Sequence, residues 1–104
     1  MWAQLITVRL KPGQDAGLAK VVEQLRATEQ AGSGLVRSLV LRDQKDPSHV
    51  SFLAVFESEE AARARESDER RQSGLEQVRA TMAETFEGAP EFTDFDVVAE
   101  TIGT

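Results

Sequence analysis

The chain has no cysteine, no asparagine and no tyrosine, and it carries a single histidine and a single tryptophan. Without cysteine, disulfides, thiolate nucleophiles and cysteine-built zinc sites are excluded. Without asparagine there is no N-glycosylation motif, and with tyrosine also missing, two common hydrogen-bonding site residues are gone. One histidine leaves any transition-metal site to rest on carboxylates, so no metal is expected. Positive charge is also scarce. Twelve lysines and arginines stand against 18 aspartates and glutamates, and the net charge is −6. No basic run is free of acids, and that balance repels phosphate backbones and anionic lipid, so no nucleic acid or membrane partner is expected. No apolar run is long enough to span a bilayer. The opening Met1–Ile6 lacks the basic start and apolar stretch of a secretory signal, which points to a cytoplasmic location.

What is present is patterned for one domain over residues 1–104, a length at which folding hides about 65% of the unfolded surface. Residues Trp2 to Leu10 alternate as a strand, ended by Lys11-Pro12-Gly13. From Asp15, a candidate N-cap, Leu18, Val21, Val22 and Leu25 fall on one helical stripe that stops at Gly32-Ser33-Gly34. Strands follow over about Leu35–Arg42 and Val50–Phe56, joined by the loop Asp43–Ser48. Ser58 is a good N-cap with Glu59 and Glu60 in the first turn behind it. A break is expected at Ser73-Gly74, where Ser73 and Glu76 have capping-box spacing. Beyond it Leu75, Val78, Met82 and Phe86 form a second stripe, Gly88 and Pro90 end the helix, and Phe92–Ala99 reads as the last strand. The order is β-α-β-β-α-β: an α+β, ferredoxin-like arrangement with a four-stranded antiparallel sheet and helices on one face.

That sheet is apolar on both faces. Ile6, Val8 and Leu10 oppose Ala3 and Leu5; Leu53 and Val55 oppose Val50, Phe52 and Phe56; the other two strands divide similarly. Helices cover one face only. An uncovered apolar patch of about 500 Å² would be worth on the order of 12 kcal/mol before association costs, so a homodimer is expected.

The stretch Val55-Phe56-Glu57-Ser58-Glu59-Glu60-Ala61-Ala62-Arg63-Ala64, at a strand exit and helix start, resembles the antibiotic biosynthesis monooxygenase family, as do Lys11-Pro12-Gly13 and Phe95-Asp96-Val97-Val98. The resemblance implies the dimeric α/β barrel fold, with a pocket in each subunit between sheet and helices. It also implies cofactor-independent oxidation of a small hydrophobic or aromatic molecule. Haem-degrading members use an asparagine, a tryptophan and a histidine, and the matching positions here are Ile6, Arg65 and about Leu75, so haem degradation is not expected. Of the residues assigned roles in quinone-forming members, only an arginine has a counterpart, with Arg65 and Arg37 as the candidates. Ile6, Val8, Leu75, Val78 and Met82 are the candidate pocket lining. The alternative is a non-catalytic small-molecule-binding or interaction module on the same barrel, and whether the protein is an enzyme stays open at this stage.

Other residues with chemical potential have plainer readings. His49, beside the hairpin loop, lacks an evident partner and reads as a solvated loop histidine. Asp94 and Asp96 share a face and mark an exposed strand edge. Arg63, Arg65, Arg70 and Arg71 are interleaved with Glu66, Asp68 and Glu69, the pattern of a solvated, salt-bridged helix face. Trp2 is expected to pack.

Overall fold

Alternation and turn residues place the first three strands where their pattern predicts, while the helix after the first strand ends at Thr28, ahead of the stop expected at Gly32-Ser33-Gly34. In a computed structural model describing residues 1–103, strand β1 spans Trp2–Leu10, helix α1 Asp15–Thr28, strand β2 Leu35–Arg42 and strand β3 His49–Phe56. Helix α2 then covers Glu59–Glu66, a 3₁₀ turn Glu69–Arg71, helix α3 Gln72–Thr85 and strand β4 Phe86–Asp96. The strands pair antiparallel in the order β2-β3-β1-β4, the ferredoxin-like order, as an open sheet with β2 and β4 at its edges. No helix is long and apolar enough to cross a membrane.

Period-two alternation sends Val8, Leu10, Val50 and Phe52 to the helix side, where they meet Val21 of α1 and Phe86 in the main core. A smaller core, Trp2, Phe56 and Ala62, lies under α2. The register puts Leu39, Leu53 and Leu5 in one row on the opposite face, with Val55, Ala3 and Phe95 in the next. Leu39, Leu41 and Phe95 are each more than 40% exposed there.

Helices α1 and α3 pack through a repeat. Each has 14 residues, and each places glycine third, leucine fourth, valine seventh and threonine last: Gly17, Leu18, Val21 and Thr28 against Gly74, Leu75, Val78 and Thr85. A Cβ on Gly74 would lie 2.7 Å from Cγ2 of Thr28, and one on Gly17 would lie 2.6 Å from Oγ1 of Thr85. Each helix therefore starts with a glycine because the other ends on a β-branched side chain with little freedom to move.

Three further expectations are corrected. The fourth strand begins at Phe86, directly after α3, and its ladder reaches Asp96 rather than running from Phe92 to Ala99. Gly88 and Pro90 therefore do not end a helix; they sit in an irregularity where Gly88-Ala89-Pro90 faces Val8 alone, between the pairs Thr7–Glu91 and Arg9–Glu87. Gly88 supplies the positive φ of 68° and Pro90 has no N–H to lose from the ladder. The helix break comes at Ser67–Asp68, before the 3₁₀ turn, and Gly74 lies inside α3, whose N-cap position is Arg71. Finally, Gln14 rather than Asp15 holds the N-cap position of α1, and Asp15 pairs with Arg42 at 2.7 Å. Ser58 caps α2 as expected, accepting from the Ala61 N–H.

Candidate functional site

The irregularity in β4 opens the sheet at one point. Above Val8 the edge strand bows, and a cleft of about 520 Å³ lies between α3 and the sheet. Its floor is Val8, Met82 and Phe86, and its rim includes Lys11, Arg79 and Pro90. Phe86 is fixed by an edge-to-face contact with Phe52, ring centres 6.1 Å apart. Lys11 is anchored by donating from Nζ to the Ala83 carbonyl at the end of α3, 3.2 Å away. Beside the cleft the register aligns Ile6 with Phe92, which is 61% exposed, so the apolar floor continues along the sheet beyond the helices.

The predicted lining divides accordingly. Val8 and Met82 line the cleft. Ile6 is half-buried against the main core, and on α3 Val78 is buried and Leu75 half-buried. Arg37 is exposed on the sheet face away from the helices, paired in register with Val55, and does not reach the cleft. The sequence reading missed Lys11, taken only as a strand terminator, and Arg79. The available signal for Arg79 was its place beside the Val78–Met82 stripe.

Arg65 turns inward, but to a protein partner. Its Nε and Nη2 donate to Oε2 of Glu29 at 3.2 and 2.7 Å, and its guanidinium lies 5.5 Å from the centre of the Phe56 ring. Burial works to raise the Glu29 pKa, but hydrogen bonds from Arg65 and the Ser33 hydroxyl outweigh it and hold the carboxyl below its ordinary value. Arg71 is the surprise in this segment. Instead of lying on a solvated face it is 3% exposed, donating from Nη1 to the Arg65 carbonyl and from Nη2 to Oγ1 of Thr28. Burial, then the nearby Arg65 charge, pulls its pKa down. These groups tie the ends of α1 and α2 together, and both guanidiniums are engaged in doing so. Beside them Glu29 and Ser33 line a surface hollow of about 350 Å³ along Glu29–Leu35.

The remaining chemical candidates are structural. His49 does have a partner, the Asp43 carboxylate at 3.6 Å across the hairpin, but both are more than 40% exposed and neither lies on the cleft. Asp94 accepts from Gln4 and from Arg63, and Arg63 lies 5.1 Å from the centre of the buried Trp2 ring. Arg70 forks Asp68, whose pKa falls to about 2 through that hydrogen bond and a backbone N–H. Among the described residues no cluster of histidine, aspartate and glutamate is arranged to hold a metal ion.

The antibiotic biosynthesis monooxygenase family model matches residues 1–95. The chain belongs to this family. Solved structures agree on the fold. A Nitrosomonas europaea protein of unknown function is 20% identical, with 99% of this chain and 94% of that one covered and a TM-score of 0.74. Proteins provisionally assigned as antibiotic biosynthesis monooxygenases come from Caulobacter crescentus (21% identity, 94% and 90% covered, TM-score 0.75) and Chloroflexus aurantiacus (23%, 99% and 100%, 0.67). At these identities the likeness is one of fold. No curated protein matches the sequence. Within the family frame, the three positions that differ from the haem-degrading pattern are an aliphatic core residue, Ile6, an arginine committed to Glu29, and the half-buried Leu75.

Proposed function

We propose that this antibiotic biosynthesis monooxygenase family member is a homodimer that binds a small hydrophobic or aromatic molecule in the cleft between sheet and α3. There, we propose, it promotes oxidation by molecular oxygen without a cofactor. The observation that carries the reading is the open apolar floor of Val8, Met82 and Phe86 at the break in β4, within the volume range of small-molecule sites. In such a reaction a ring CH₂ flanked by aromatic groups loses a proton, and the carbanion passes electrons to oxygen. One oxygen atom ends as the new ketone, the other as water, and the four electrons come from the substrate. The protein's part is to hold the substrate, favour its anion and exclude water. Dimerisation is supported by Leu39, Leu41 and Phe95, which are exposed on the far face.

A second reading, a binding module without catalysis, is favoured by one observation: both arginine candidates are elsewhere, Arg65 paired with Glu29 and Arg37 on the far face. Oxygen uptake by the purified protein with 1,8-dihydroxyanthrone and related dihydroxy-aromatics separates the two. Uptake above the buffer rate, lost on heat denaturation, is the expected result. No uptake together with a retained ligand in native mass spectrometry selects the binding module. Neither uptake nor binding removes both.

A further inference from the structure

The charge around the cleft is opposite to that of the protein. In a chain of net charge −6, two cations line it. Among the described residues five of the twelve lysines and arginines, Arg9, Arg42, Arg63, Arg65 and Arg70, sit within ion-pair distance of a carboxylate, and Lys11 and Arg79 are among the seven that do not. Lys11 gives one N–H to the Ala83 carbonyl and keeps two. Arg79 is exposed on α3 with its fork uncommitted. The one acid on the lining, Glu87, pairs in register with Arg9, so its side chain leaves on the face away from the helices. An apolar floor thus ends at two uncompensated cations with no acid directed at them.

We infer that the cleft prefers an apolar aryl monocarboxylate over its neutral counterpart, with the rings on Val8, Met82 and Phe86 and the carboxylate between Lys11 and Arg79. A guanidinium fork matches the two oxygens of a carboxylate, and the ammonium beside it adds a second charge-assisted donor. This rests on the cleft being the ligand site, and it names the class of molecule that site takes.

The test uses 2-naphthoate, its neutral counterpart 2-naphthamide and 2-naphthyl phosphate, titrated into the wild-type protein, Arg79→Gln and Lys11→Gln. Loss of one charge-assisted contact is expected to weaken naphthoate by about tenfold in each variant. Naphthamide, weaker on the wild type, should be unchanged by either substitution, and naphthoate affinity should fall with added salt. Equal binding of naphthoate and naphthamide, insensitive to both substitutions, would overturn the charge assignment while leaving the cleft as a binding site. Tighter binding of the phosphate would overturn the choice of carboxylate. No binding of any probe would overturn this inference and the cleft reading beneath it. Arg79 is exposed, so Arg79→Gln leaves packing intact and its result reads on the ligand.

Discussion

Leu39→Glu combined with Leu41→Glu should turn a dimer into a monomer. Both side chains are 45% exposed in the isolated protomer and lie on the sheet face that no helix covers, so the double variant changes little in the protomer's own fold. If that face is the interface, each substitution places an unpaired carboxylate in an apolar contact, and the twofold repeats it on the partner. Burying a carboxylate without a partner costs several kcal/mol, so the dissociation constant should rise by about a thousandfold or more. Sedimentation velocity at micromolar concentration reads this directly. The wild type is expected as a dimer and the variant as a folded monomer with an unchanged far-UV spectrum. A wild-type monomer would remove the dimer, and a variant that stays dimeric would place the interface elsewhere.

The second large effect concerns the joint between α1 and α3, and it is a change of sign. Gly74→Ala removes backbone freedom from the unfolded chain, which alone would stabilise by about 0.5–1 kcal/mol. Here the new methyl meets Cγ2 of Thr28 at 2.7 Å, and overpacking of that kind costs about 1–3 kcal/mol. A net loss is expected. Thr28→Ser removes Cγ2 and keeps the hydroxyl that donates to the Leu25 carbonyl and accepts from Arg71. In that background Gly74→Ala should stabilise. Denaturant titration of the four proteins gives the coupling, and additive behaviour would show that the two helices do not meet at this glycine.

These residues also show what could be read in advance. The first three strands and α1 were legible because alternation, a 3.6-residue stripe and turn residues all agreed. The fourth strand was misplaced because Gly88 and Pro90 serve equally as helix terminators and as the residues of a strand irregularity. Only the partner strand, with Val8 opposite three residues, tells the two apart. That same irregularity borders the cleft, so misplacing the strand also hid the cleft. Val8 and Met82 could be assigned to the helix side of the sheet because they belong to regular elements, whereas Lys11 and Arg79 meet at the same cleft only in the folded chain. Arg71 could not be located from charge pattern. Interleaved signs describe a solvated face on average, and the 3₁₀ turn directs one arginine inward to Thr28. The glycine-to-threonine repeat was legible in principle, since it needs only α1 and α3 set side by side.

The account rests on the cleft at the break in β4 being where small molecules bind. Backbone amide spectra of the labelled protein, recorded during titration with 2-naphthol, test this most directly. The expected result is a set of shifts centred on Val8, Lys11, Arg79, Met82, Phe86 and Gly88, with the residues of the Gly32–Leu35 hollow unmoved. Shifts centred on that hollow, or none at saturating probe, would contradict it.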